Sequence, residues 1–122
     1  MNEILITGAA GFIGYHLINK MIDMRYKFIL IDDFSRGKKD KIFKNLLKKK
    51  NVKLINSNLT KPYKLNFKNI KYVFHLAAKI GVKNVIEKPS ETINDNLLML
   101  INTINAVKQK NKNAKFIFFF NK

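Results

Sequence analysis

The 122-residue sequence contains no cysteine, only two prolines and two arginines, and no long uninterrupted apolar segment. Without cysteine the chain can form neither a disulfide framework nor a thiolate-based active site. No apolar run is long enough to span a bilayer, and the first residues lack the basic segment and apolar core of a signal peptide. These absences lead us to expect a soluble, cytoplasmic protein without a membrane partner.

Acidic side chains are also scarce, with eight Asp and Glu against 24 Lys and Arg, which gives a formal net charge of +16. Such an excess attracts polyanions, so nucleic-acid binding is one candidate function. The excess is nearly all lysine, however, because Arg25 and Arg36 are the only arginines. Arginine is the residue that mainly reads bases and grips phosphates. We therefore favour a compositional origin, typical of an AT-rich coding sequence, over nucleic-acid binding.

Apolar runs and helical periodicity alternate along the chain. Positions such as Ile13, Leu17 and Ile18 recur at helical spacing after Phe12, and a lysine-rich helix with the stripe Ile42, Phe43, Leu46 and Leu47 follows the second strand. A long helix is predicted after Pro89, with Leu97, Leu98, Ile101, Ile104 and Val107 on one side. The predicted strands are Glu3–Thr7, Lys27–Asp32, Val52–Asn56, 71–76 and 115–120.

Alternation of strands with helices implies βαβ units, a parallel sheet and right-handed crossovers. The predicted strands are continuous apolar runs and do not alternate with polar residues. This pattern is typical of a sheet that helices cover on both faces. The sequence therefore predicts one α/β domain.

Three of the five glycines, Gly8, Gly11 and Gly14, stand three residues apart in T-G-A-A-G-F-I-G, between the first strand and the first helix. The start of a helix favours negative charge, so the diphosphate of a dinucleotide can bind there. We interpret Gly8 as the residue of a sharp turn and Gly11 as the residue whose missing Cβ leaves room for phosphates. Gly14 would allow close packing of the helix on the strand.

Asp32 ends the second predicted strand, where a carboxylate can accept hydrogen bonds from the ribose hydroxyls of a dinucleotide. Its charge would repel a 2′-phosphate, so NAD is expected rather than NADP, although Arg36 and Lys38 lie close enough to soften that preference. The alternative interpretation is an aspartate that only stabilises a turn or caps a helix.

The segments ITGAAGFIGYHL, LIDDFSRG, VFHLAAK and Pro89-x6-Asn96 occur in the order seen in extended short-chain dehydrogenases/reductases. Among these, the chain resembles the NAD-dependent nucleotide-sugar epimerase/dehydratase family along essentially its whole length. The resemblance implies a Rossmann-type, doubly wound parallel sheet of about five strands in the order 3-2-1-4-5, truncated before a sixth strand. Residues 1–122 would then be the amino-terminal part of an NAD(P)-binding domain, without the carboxy-terminal substrate domain.

The resemblance also implies contacts with the cofactor beyond the glycines. The small residues after the fourth strand would form a wall beside the ribose and diphosphate. Asn58 stands where the family has an Asp against the adenine, and its carbonyl could pair with the adenine amino group. Asn96 matches the Asn of the family motif N-x-x-G-T, in which Met99 and Leu100 replace the Gly and Thr. The expected cofactor-binding residues are Gly8, Gly11, Phe12, Ile13, Gly14, Asp32, Asp33, Asn58, Leu59, Leu76, Ala77, Ala78 and Asn96.

The catalytic groups of that family do not occur in this sequence. Its chemistry uses a Ser or Thr after the fifth strand and a Tyr-x-x-x-Lys motif, in which the tyrosinate acts as the base. None of the four tyrosines has a lysine four positions later. We expect no catalytic and no metal-binding residue: His75 is interpreted as a hydrogen-bonded structural histidine, and His16 has no carboxylate at ligand spacing.

The leading hypothesis is therefore the NAD-binding portion of a nucleotide-sugar epimerase/dehydratase that does not turn over by itself. It would bind a nucleotide-sugar only together with a carboxy-terminal half, and its apolar edge strand, Phe116 to Phe120, would favour self-association. One alternative is a stand-alone NAD-binding or redox-sensing module. A second alternative is a basic nucleic-acid-binding protein on the same scaffold.

Overall fold

The structure, a computed structural model that describes residues 1–79 and 82–118, contains five strands and four helices in this part of the chain. The strands form one parallel sheet in the order 3-2-1-4-5, which confirms the Rossmann-type topology. Local signals set several element boundaries: Asp40 caps the second helix by accepting a bond from the Phe43 N–H, and Pro89 opens the last helix. The elements are β1 (Glu3–Thr7), α1 (Phe12–Met21), β2 (Lys27–Asp32), α2 (Lys41–Leu47), β3 (Val52–Asn56), β4 (Ile70–His75), α3 (Val82–Glu87), α4 (Pro89–Lys108) and β5 (Lys115–Phe118).

Helices cover both faces of the sheet, which explains why its central strands β1 and β2 are mostly apolar and buried. All five residues of the central strand β1 are buried between β2 and β4. On one face, β1 and β2 pack with Ile18 of α1 and Phe43 of α2. On the other face, Leu5 shares a cluster with Met99 and Val107 of α4. Burial of this apolar surface is the main force that holds the two helical layers on the sheet.

Two predicted boundaries differ from those observed. Strand β4 begins at Ile70 and ends at His75, so Leu76 belongs to the loop that follows it. Strand β5 is described from Lys115 to Phe118, and the last two residues of its predicted range, Phe119 and Phe120, lie outside the described residues. The short helix α3 was not predicted, since its six residues are too few to show a clear period.

The apolar sides predicted for two helices are also partly wrong. In α4, Leu97 is 52% exposed and Ile101 is 42% exposed, while Asn102 and Thr103 are buried against the sheet. The buried polar groups have partners, because Asn102 Nδ2 donates to the Leu59 carbonyl and the Thr103 hydroxyl donates to that of Met99. Polar side chains that have hydrogen-bond partners can be buried at little cost in free energy. The buried side of α4 therefore differs from the side that its apolar residues predict. In α2, Ile42 of the predicted stripe is likewise exposed.

A hydrogen-bond network joins the ends of β1 and β4, where Thr7 and His75 are partners in the sheet register. The Thr7 hydroxyl lies 2.8 Å from His75 Nδ1, and its oxygen accepts the N–H groups of Leu76 and Ala77 at 3.1 and 3.2 Å. Because both lone pairs of that oxygen are used, the hydroxyl proton goes to Nδ1, and the neutral ring carries its own proton on Nε2. Burial lowers the pKa of His75 from 6.5 to about 4.

This shift predicts that acid destabilises the fold through His75. Between pH 6.5 and 4 the His75 ring binds a proton in the unfolded chain but not in the native one. The free energy of unfolding therefore decreases as the pH is lowered through this range, by about 3 kcal/mol in total. Urea unfolding of the parent and of His75→Gln at pH 7.5 and pH 4.5 measures the effect. The loss of stability between the two pH values should be markedly smaller in the variant.

The exposed His16 supplies the matched control, because His16→Gln removes a histidine from α1 without removing a buried ring. This control should retain the parental pH dependence. An equal pH dependence in the parent and His75→Gln would contradict the assignment.

Candidate cofactor-binding site

An open cavity of about 800 Å³ lies at the carboxyl ends of the strands, where the loops after β1, β2, β3 and β4 meet. In open parallel sheets, ligands bind at this edge, beside the point where the strand order reverses. Here the order reverses between β1 and β4. Every residue that the sequence analysis assigned to the site lines this cavity: Gly8, Gly11, Phe12, Ile13, Gly14, Asp32, Asp33, Asn58, Leu59, Leu76, Ala77, Ala78 and Asn96.

The turn between β1 and α1 requires glycine at two of its three predicted positions. Gly8 has φ of +67°, and a Cβ there would lie 2.8 Å from the backbone nitrogen of Ala77. A Cβ on Gly14 would lie 2.8 Å from the carbonyl oxygen of Ala9, so the first turn of α1 packs directly on this loop. Gly11 differs, because its φ of −74° suits any residue and its nearest obstacle, the Gly8 oxygen, is 3.3 Å away. A Cβ at Gly11 therefore meets one tight backbone contact, which a shift of a few tenths of an ångström would relieve, and no clash like those at Gly8 and Gly14.

The start of α1 faces the cavity as an open set of backbone donors. Gly11 is the N-cap residue, and within the described chain no side chain caps the helix. The N–H groups of the first turn have no partner inside a helix, and the helix dipole places partial positive charge there. Phe12 and Ile13, the first residues of α1, are 80% and 52% exposed at the cavity. The arrangement offers donors for an anion beside uncovered apolar surface.

The Asp32 carboxylate joins two loops at the end of β2. One oxygen accepts the Ala10 N–H at 2.9 Å, and the other accepts the Phe34 N–H at 2.7 Å. Each carboxylate oxygen has a second lone pair, so both can still accept a bond from a ligand. The neighbouring Asp33 is exposed and accepts the Ser35 N–H at 3.0 Å. Asp32 thus stabilises a turn, as the alternative interpretation proposed, and also lines the cavity.

The loop that follows Asp32 lines the cavity with residues that the sequence analysis did not assign to the site, among them Arg36 and Gly37. Phe34 has φ of +60°, and its ring packs on that of Phe43 at 5.8 Å. Gly37 lies so close to the turn between β1 and α1 that a Cβ on it would collide with the Ala10 carbonyl. In the sequence, S-R-G indicates a turn at Gly37, which does not by itself reveal this contact. Arg36 also lines the cavity and supplies a positive charge at its rim.

The loop after β3 is shaped by an internal turn. The Asn58 side-chain oxygen accepts both the Thr60 N–H, at 3.1 Å, and the Thr60 hydroxyl, at 2.8 Å. Since both lone pairs of that oxygen are occupied, the prediction that it pairs with an adenine amino group does not fit this arrangement. The side-chain NH2 group is the part of Asn58 that can bond to a ligand. Leu59 is 4% exposed and packs in the core beneath the cavity.

The loop after β4 forms the opposite wall and depends on α4. Leu76, Ala77 and Ala78 line the cavity, followed by Lys79, which the sequence analysis did not assign to the site. The Asn96 side chain bonds to the backbone of Lys79, and the Lys79 ammonium lies 2.7 Å from Asp95 Oδ2. The hydrogen bond to Asp95 raises the pKa of Lys79, which therefore stays charged near neutral pH.

Residues 1–79 and 82–118 contain neither a cluster of metal ligands nor a membrane-spanning helix. No group of three or more His, Asp or Glu side chains in this part of the chain could hold a metal ion. None of its helices combines the length and the apolar character that a membrane crossing requires.

Known proteins share both the sequence and the fold. The sequence model of the NAD dependent epimerase/dehydratase family matches residues 4–120. A putative UDP-glucose 4-epimerase of Methanocaldococcus jannaschii is 33% identical over 112 residues, which cover 89% of this chain and 34% of that protein. The chain thus spans about a third of the length of this relative.

Solved structures agree with the sequence comparison. The UDP-glucose 4-epimerase of Thermotoga maritima, solved with UDP-glucose, superposes with a TM-score of 0.73 and 28% identity over 95% of this chain and 37% of its own. The UDP-glucose 4-epimerase of Thermus thermophilus, solved with NAD, gives a TM-score of 0.67 and 25% identity over 88% of this chain and 34% of its own. The chain therefore belongs to the NAD dependent epimerase/dehydratase family.

Proposed function

We propose that residues 1–122 form the cofactor-binding portion of a nucleotide-sugar epimerase or a related enzyme, and that the cavity binds NAD. The observation that carries the proposal is the meeting, in one cavity, of the uncapped start of α1 and the Asp32 carboxylate. One offers donors to a diphosphate, and the other offers acceptors to ribose hydroxyls. Family membership and the NAD bound to the Thermus thermophilus enzyme support the same ligand.

Each wall of the cavity has a distinct task in this proposal. The amides that follow Gly11 hold the diphosphate, and the exposed Phe12 and Ile13 become covered by the ligand. Asn58 offers its NH2 group to an adenine ring nitrogen, while the small residues Ala77 and Ala78 let backbone approach the ligand closely. When bound, NAD supplies a hydride acceptor, and the residues of this chain bind and orient it.

The charges at the rim favour NAD over NADP. A 2′-phosphate would lie against Asp32, whose two oxygens are held in place by Ala10 and Phe34 and cannot easily turn away. Asp33 adds a second negative charge to the same loop. Arg36 lies on the same rim and partly offsets the repulsion. We therefore expect discrimination against NADP, but not its complete exclusion.

Substrate chemistry requires more than these residues provide. The relatives are named for reactions of UDP-sugars, and this chain spans about a third of the M. jannaschii relative. No tyrosine in the sequence has a lysine four positions later, so the family's catalytic pair does not occur. We therefore propose that the 122-residue chain binds NAD without turnover, and that a nucleotide-sugar binds only when the remaining part of the enzyme is supplied.

Calorimetry with NAD, NADP and the variant Gly11→Ala tests the proposal. The added methyl group requires a shift of only a few tenths of an ångström from the Gly8 carbonyl. It occupies the place of the diphosphate, so NAD affinity should fall by about tenfold or more. Thermal unfolding without ligand should stay close to that of the parent. NADP should bind about tenfold more weakly than NAD, because a like charge is brought to Asp32.

The matched control is Ser90→Ala, a small change at an exposed position of α4. This variant should bind NAD like the parent. If NAD gives no heat with the parent, or if Gly11→Ala binds as tightly as the parent, the proposed function is wrong.

We also propose self-association through β5. In the described sheet β5 is an edge strand, because it pairs with β4 alone. The Phe118 side chain of β5 is 37% exposed. An exposed apolar edge strand can pair with another chain. Sedimentation velocity at increasing micromolar concentration should show oligomers that Phe118→Lys reduces. The control Ile42→Lys, at an exposed site of α2, should not reduce them, and a parent that stays monomeric throughout would refute this proposal.

A further inference from the structure

The loop from Leu76 to Lys79 has no regular structure of its own, yet it forms one wall of the cavity. A backbone of this kind keeps its shape only if other groups satisfy its N–H and C=O groups. At its first end, the Thr7 hydroxyl accepts the N–H groups of Leu76 and Ala77. The shape of the wall near β1 is therefore fixed by a side chain of β1.

The other end of the loop is held by one side chain of α4. Asn96 Oδ1 accepts the Lys79 N–H at 2.6 Å, and Asn96 Nδ2 donates to the Lys79 carbonyl at 3.0 Å. A single amide thus satisfies both backbone groups of one residue, 17 positions away. Next to it, Asp95 binds the Lys79 ammonium at 2.7 Å, so backbone and side chain of Lys79 are both tied to α4.

We propose that Asn96 is a positioning residue that holds the loop after β4 in the shape the dinucleotide contacts, and that it acts through Lys79 and not as a direct ligand. This inference rests on the proposed function of the cavity. Both polar atoms of the Asn96 side chain are directed at the Lys79 backbone. The resemblance to the family predicts that Asn96 contacts the cofactor. In this proposal Asn96 instead holds the Lys79 backbone, which forms part of the cavity wall.

The two bonds demand an amide and make aspartate an informative substitution. In Asn96→Asp, an ionised carboxylate would place a second oxygen near the Lys79 carbonyl, 3.0 Å from it in the parental geometry, where the parent has a donor. An aspartate carboxyl has an ordinary pKa of about 3.9, so it is ionised from pH 5.5 upwards. Asn96→Asp therefore replaces the donor to the Lys79 carbonyl by a repelling oxygen over this whole range, whereas Asn96→Ala removes both bonds.

The two neighbouring groups with shifted pKa values, His75 and Lys79, keep one charge state from pH 5.5 to pH 8. Around the pair lie the Lys79 ammonium and the carboxylates of Asp95, Glu91 and Asp33, which interact with Lys79. His75 also lines the cavity, but its pKa of about 4 keeps it neutral from pH 5.5 upwards. Lys79 stays charged over the same range because its pKa is raised. An effect of Asn96→Asp in this range therefore reports the exchanged donor and not a change of charge on His75 or Lys79.

The first measurement needs no cofactor. Amide hydrogen exchange of the 122-residue chain reports the protection factor of the Lys79 N–H at each pH. Protection should fall about tenfold or more in Asn96→Ala, and by less in Asn96→Asp, whose carboxylate still accepts the Lys79 N–H but repels the Lys79 carbonyl. The control Asn94→Asp adds the same charge at an exposed position of α4 and should match the parent. Parental protection of Lys79 in Asn96→Ala would overturn the proposal.

The second measurement is the affinity for NAD of the same four proteins from pH 5.5 to pH 8. We expect about tenfold weaker binding by Asn96→Ala and a smaller loss by Asn96→Asp throughout this range. If the parent binds NAD and Asn96→Ala has parental affinity, the positioning role is refuted while the proposed function stands. If the parent itself binds no NAD, the proposed function fails, and the exchange data still show whether Asn96 holds the loop.

Discussion

The geometry of the cavity depends on the close approach of the Gly8 turn to the loop that leaves β4. A Cβ on Gly8 would lie 2.8 Å from the Ala77 nitrogen, so the two backbones touch without side chains between them. That contact lets the Thr7 hydroxyl reach the N–H groups of Leu76 and Ala77. On the other side, Ala10 of the same turn donates to Asp32. The turn is thus held between its two neighbouring loops, and all three present backbone to one space.

The electrostatics of this space differ from those of the whole chain. The formal net charge is +16, yet the charged residues that line the cavity are Asp32, Asp33, Arg36 and Lys79, two of each sign. Lys79 is moreover paired with Asp95. Affinity for a diphosphate would therefore come chiefly from oriented backbone amides, which act at short range, and not from the lysine excess. This difference separates a specific dinucleotide site from general attraction to polyanions.

Much of the fold could be predicted because its signals are local. Strands such as Lys27–Asp32 are apolar runs that must be buried on both faces, and glycines between a strand and a helix announce the turn. The buried face of α4 could not be predicted, because Asn102 and Thr103 are buried through bonds to distant or backbone partners. For the same reason the sequence did not predict that Asn96 bonds to the Lys79 backbone, which lies 17 residues away. Gly37 and Lys79 were missed since each acts through a contact that only the folded chain creates.

The most direct test of the account is a map of backbone amide resonances as NAD is added to the isotope-labelled chain. The account predicts that the largest shifts fall on the amides from Ala10 to Gly14, on the loop after Asp32 and on the wall from Leu76 to Lys79. Residues of the lysine-rich helix α2 (Lys41–Leu47) and the side of β5 remote from the cavity should shift little. Shifts spread over the lysine-rich surface with none at the start of α1, or no shifts at saturating NAD, would contradict it.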